Sequence, residues 1–206
     1  MPGKIRGCKT ILPLHEGDTA DYSDRKGMKI ITLKIDAGVT AIRACFAHNE
    51  LTDLAIPDSV TTIAEKAFMK NRLESIDIPD SVTAIGADAF RSNRLKRVKL
   101  SESLEGIGDG AFRDNKLKSI VLPAGLKWIG DTAFKGNPIT SITIGEYLEG
   151  RDENLTPSSI PYADAFGNHG VEFINCYVHN NTAAGTYEYD RAAKKWYYVR
   201  LEKKGE

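Results

Sequence analysis

The residues of this chain that could do chemistry are four histidines, three cysteines and a scatter of carboxylates. His169, Cys176 and His179 fall near one another in sequence, and imidazole with thiolate is a ligand set that zinc takes. Their spacing matches no established metal motif. His15 and His48 lie far away. No serine–histidine–aspartate order, glycine-rich phosphate loop or carboxylate pair in an evident pocket is present. Glu65, Asp88 and Asp109 recur on the outside of a repeating unit, where solvation accounts for them. The reading is a non-enzyme with no catalytic residue, no metal site and no cofactor. Cys8, Cys45 and Cys176 are too few and too odd in number for a disulfide framework. Cys45 stands in a column otherwise held by Ala67, Ala89, Ala111, Ala133 and Ala165, which suits a small buried thiol.

What remains is recognition chemistry, and a repeat must position it. Phe46, Phe68, Phe90, Phe112 and Phe134 are 22 residues apart, and Phe166 follows after 32. A fixed period in the twenties marks a solenoid, whose coils contact only their neighbours. Each coil opens with alternating apolar residues: Leu51, Leu54, Ile56; Leu73, Ile76, Ile78; Leu95, Val98, Leu100; Leu117, Ile120, Leu122; Ile139, Ile142, Ile144. Alternation predicts a strand with one buried face, and stacked coils pair such strands into a parallel sheet. Pro57, Pro79 and Pro123 end the strand by removing a ladder donor. Gly86, Gly108 and Gly130 suit a tight bend or a close approach of coils. Asn49, Asn71, Asn93, Asn115 and Asn137 each follow the phenylalanine by three. Asparagine tolerates the left-handed conformation and bonds turn backbone, so a stacked column would satisfy buried groups between coils.

The residues between the buried strand positions face outward. They give a concave row of Lys34, Asp53, Asp77, Arg97, Lys99, Val121 and Thr143, with Asp77 beside Lys99 as a cross-strand pair. Repeat scaffolds bind along this face; the alternative is an ordinary solvated surface. Trp128 is an exposed aromatic on the convex wall, with Gly106 and Gly150 in its column leaving room for the indole.

The repeats, and above all Ile56-Pro-Asp-Ser-Val60 with Ile63-Ala64-x-x-Ala67-Phe68 and Ile78 through Phe90, resemble the BspA-like leucine-rich repeat family, including its treponemal members. The unit here is 22 residues with asparagine in the closing turn, where the family often has 23 and a cysteine. The resemblance implies a leucine-rich-repeat solenoid with a concave parallel sheet, short strands and 3-10 turns on the convex side, and a β-hairpin cap. It further implies protein–protein recognition, with host or envelope proteins as partners at a bacterial surface, and no catalytic residues.

The expected organisation is an N-terminal extension or cap over 1–28, repeats over 29–148, an irregular loop with a last partial repeat over 149–170, and a β-rich cap over 171–206. Val171 to Val178 reads as a strand. Gly185 to Asp190 and Lys195 to Arg200 read as a hairpin. A cap is required because the last coil would otherwise expose its core. Tyr147, Leu148, Leu155, Ile160, Tyr162, Phe166 and Phe173 surround the irregular loop and could line a hydrophobic pocket for an apolar small molecule; their other reading is cap core.

Twenty-eight basic residues balance twenty-eight acidic ones, which gives no reason to expect nucleic acid or an anionic membrane. No apolar run approaches the ~20 residues of a membrane span. Met1 to Cys8 is basic, but no apolar core follows, so no export signal is read there. Localisation is left between the interior and a surface position reached through a removed leader.

Overall fold

The computed structural model describes residues 27–44, 46–144, 165–166, 173 and 185–199, together with the backbone of 11–14. The coils form a solenoid with two strand faces. The concave face is built from β1 (Ile11–Leu14), β2 (Thr32–Ile35), β4 (Asp53–Leu54), β6 (Ser75–Asp77), β8 (Arg97–Lys99), β10 (Ser119–Leu122) and β12 (Ser141–Ile144). The opposite wall holds the two-residue strands β3 (Ala41–Ile42), β5 (Thr62–Ile63), β7 (Ala84–Ile85), β9 (Gly106–Ile107) and β11 (Trp128–Ile129).

These five short strands make one parallel sheet in coil order. The concave strands pair in parallel as β1-β2-β4, β6-β8 and β10-β12. Between these pieces the coils stay joined: Arg72 N–H donates to Leu51 C=O, Arg94 to Leu73 and Lys116 to Leu95, each at 2.9 Å. Single turns with i to i+3 hydrogen bonds, such as Ala89 N–H to Gly86 C=O at 3.3 Å, close each coil.

The C-terminal hairpin, β13 (Gly185–Asp190) and β14 (Lys195–Val199), adds antiparallel to β12. It continues the concave sheet and drops Tyr187 and Trp196 over the end of the core. Of the expected strand over Val171–Val178, only Phe173 lies among the described residues.

The core is a set of columns. The rings from Phe46 to Phe166 stack near parallel, with successive centroids 5.3–5.9 Å apart. Phe173 then meets Phe166, Tyr187 and Trp196 edge-on. Burying one such ring contributes roughly 1.5–3 kcal/mol.

Beside the rings runs an asparagine ladder. Asn115 Oδ1 accepts from Leu95 N–H at 3.0 Å, while its Nδ2 donates to Phe90 C=O at 2.9 Å and Phe112 C=O at 3.0 Å. Asn71, Asn93 and Asn137 repeat the pattern. The column joins backbone groups of adjacent coils, as its burial requires. The left-handed residue, however, is the one before each asparagine: His48, Lys70, Ser92, Asp114 and Gly136 have φ from 55° to 79°. A second left-handed position lies two residues before the ring, at Lys66, Asp88, Gly110 and Thr132. The column of Gly86, Gly108 and Gly130 is needed for closeness rather than for positive φ. A Cβ on Gly108 would sit 2.6 Å from the Gly86 carbonyl carbon of the coil beneath.

Candidate recognition surface

Strand alternation sends Leu33, Leu54, Ile76, Ile120 and Ile142 into the core. Their neighbours therefore form the outer face. Lys34 on β2 is exposed, with its ammonium 3.5 Å from Asp36 Oδ1. Asp53, Asp77, Arg97 and Lys99 are all exposed. Val121 keeps 59% of its surface open although it is apolar. Thr143 is half-buried, because its Oγ1 lies 2.9 Å from Thr186 Oγ1 on the cap hairpin.

Asp77 and Lys99 are register partners, as expected. The ion pair forms instead on the diagonal, with Arg97 Nη1 2.8 Å from Asp77 Oδ1. The long planar guanidinium reaches a diagonal carboxylate and can hold it with more than one donor. A shallow groove of about 320 Å³ lies here, bordered by Asp53, Ser75, Asp77 and Arg97.

The periodic reading stops before the cap and so misses part of this face. Val121 registers with Thr143, Thr143 with Thr186, and Thr186 with Val199. A second rung runs from Ser119 through Ser141 and Glu188 to Tyr197. Val199 and Tyr197 are exposed, so the hairpin extends the concave surface. The signal for it was the alternation in the hairpin itself, with Tyr187 and Trp196 inward.

Trp128 lies on the convex wall, 46% exposed, in register with Gly106. Its indole covers that glycine so closely that a Cβ there would run into the ring. Gly150 lies outside the described residues.

Phe166 and Phe173 belong to the ring stack, and Phe173 is buried. Tyr147, Leu148, Leu155, Ile160 and Tyr162 lie outside the described residues, as do His169, Cys176 and His179. An open groove of about 450 Å³ beside the cap has a different lining, with Pro138, Thr140, Tyr189, Arg191 and Lys194 among it. Among the described residues no cluster of three histidine, cysteine or acidic side chains could hold a metal ion, and no helix is long and apolar enough to cross a membrane.

Stacked coils with a uniform core and an exposed, chemically varied sheet define a leucine-rich-repeat solenoid. The family model for the BspA type leucine rich repeat region matches six copies over residues 30–155, and the chain belongs to that family. Two solved bacterial structures share the fold. The pneumococcal vaccine antigen PcpA aligns with a TM-score of 0.52 at 22% identity, over 65% of this chain and 34% of that one. A leucine rich cell surface protein from Faecalibacterium prausnitzii aligns with a TM-score of 0.54 at 24% identity, over 85% of this chain and 41% of that one. The chain thus spans less than half of either relative. No curated protein matches it.

Proposed function

We propose that this chain is a non-catalytic protein-recognition scaffold that binds its partner across the concave sheet. One observation carries the reading. Inward positions are nearly identical from coil to coil, whereas the outward ones change chemistry at every coil. One outward column reads Asp53, Ser75, Arg97, Ser119, Ser141, and the next Lys34, Ala55, Asp77, Lys99, Val121, Thr143. Folding requires only the first kind of column, so the second is open to recognition. A rigid sheet also holds those side chains in fixed positions, which lowers the ordering cost of binding. We place the working site at a bacterial cell surface, because one solved relative is named a cell surface protein and another a vaccine antigen.

The test is selection of binders from a displayed random peptide library on the immobilised protein, with and without Arg97→Glu and Lys99→Glu together. Both side chains are exposed, so the double variant should keep its fold. Loss of the selected binders on the folded variant supports the concave reading. Binders captured equally by both proteins refute it.

A further inference from the structure

Charges elsewhere on this solenoid are matched from one coil to the next. Glu50 pairs with Arg72 at 3.2 Å, and Glu105 with Lys127 at 2.9 Å. Two columns at the rim of the concave sheet begin the same way and then stop matching. The first runs Glu50, Arg72, Arg94, Lys116; the second runs Glu74, Lys96, Lys118. Glu74 takes Lys96 at 2.8 Å. After these pairs, Arg94 is followed one coil on by Lys116, and Lys96 by Lys118.

All of these side chains are exposed, and so is Lys99 beside them on the sheet. Among the described residues, Arg94, Lys99, Lys116 and Lys118 have no carboxylate within 4.0 Å. The crowding registers at Glu74, whose carboxyl is held below its ordinary value. A hydrogen bond and the charge of Lys96 do most of this, and Lys116 and Arg94 add to it. Rungs of a stacked sheet are ~4.8 Å apart, and like charges facing across adjacent strands are destabilising. The fold gains nothing from this arrangement; an acidic ligand would.

We propose that the rim cluster of Arg94, Lys96, Lys99, Lys116 and Lys118 docks an acidic polypeptide segment. The inference rests on the scaffold reading and names its partner's chemistry. The cluster covers two coils, roughly 10 Å along the solenoid. Asp53 and Asp77 bound it on one side, and the uncharged face of Ser119, Val121 and Thr143 on the other. A nucleic-acid backbone carries phosphates every few ångströms without interruption, so it would run onto those carboxylates. A short extended peptide with acids at alternate residues places them on one side about 6.6 Å apart. They reach the cations, Arg94 can take one carboxylate with two donors, and exposed Val121 takes an apolar flank.

The experiment is fluorescence anisotropy with a labelled ten-residue peptide of alternating Glu and Thr. Controls are its Gln-Thr counterpart, heparin and oligo-dT. Binding of the Glu-Thr peptide, lost with rising salt and weakened about ten-fold or more in Lys116→Glu/Lys118→Glu, is expected. The Gln-Thr peptide should not bind. Thermal melting checks that the double variant is folded, and Lys116→Gln/Lys118→Gln gives the same comparison without added negative charge. Equal binding of both peptides, unchanged affinity in the folded variants, or binding of heparin or oligo-dT alone overturns the proposal. Library binders that need Arg97 and Lys99 yet ignore the Lys116/Lys118 changes overturn it too, while leaving the scaffold reading in place. Binders indifferent to all four side chains remove both.

Discussion

Replacing Asn115 tests the ladder from which the coils hang. Its amide satisfies three kinds of group at once. Leu95 N–H depends on Oδ1 alone. The Phe90 and Phe112 carbonyls are shared, since Asn93 also donates to Phe90 and Asn137 to Phe112. Asn115→Ala therefore orphans one buried donor and weakens two acceptors. An orphaned buried donor costs about 1–3 kcal/mol and each lost bond about 1 kcal/mol net, so the variant should lose about 3 kcal/mol. Asn115→Asp keeps the acceptor for Leu95 but turns a carboxylate toward both carbonyls. Near neutral pH it should fold no better than the alanine variant. Its folded-state pKa must lie above the unfolded ~3.9. The penalty is then complete above the folded value, is relieved as pH falls through it, and is gone below ~3.9. Urea unfolding followed by circular dichroism at pH 7.5 and 4.5, each referred to wild type, measures this. An alanine variant losing under about 1 kcal/mol, or an aspartate variant with the same deficit at both pH values, would refute the argument.

Two further outcomes follow from backbone geometry. Thr132 is β-branched and left-handed, with φ 57°, where its column already accepts Gly110. Thr132→Gly should gain about 0.5–1 kcal/mol, the relieved strain exceeding the added chain entropy; an unchanged urea midpoint would contradict the strain. Gly108→Ala must push its coil off the Gly86 carbonyl, and should cost about 2–3 kcal/mol as overpacking does. A variant that melts with wild type would show that the coils can yield there.

The fold was legible because its core repeats. Every ring, leucine and asparagine of the ladder sits at a 22-residue interval, and alternation told which strand residues face out. Less visible were features held by residues without a signature. Lys66, Lys70 and Ser92 adopt left-handed backbone because the coil closes there, and none of them advertises it. The Asp77–Arg97 diagonal escaped because register fixes strand neighbours but not which long side chain reaches across. The cap's share of the concave face escaped because the hairpin lies outside the period. The unpaired rim cations escaped for another reason. Strand alternation drew attention to the sheet face, while Arg94, Lys116 and Lys118 stand at its entrance.

The shared asparagine bonds have a consequence for how such a gene changes length. Each rung offers its neighbour the same acceptors and donors it receives. A whole extra coil spliced between Arg94 and Leu95 would therefore find every partner already waiting. A splice of 21 or 23 residues would leave the rings and amides of one rung facing the wrong groups. Duplication in whole coils is thus nearly free of structural consequence. It delivers a fresh set of outward side chains on which selection can act.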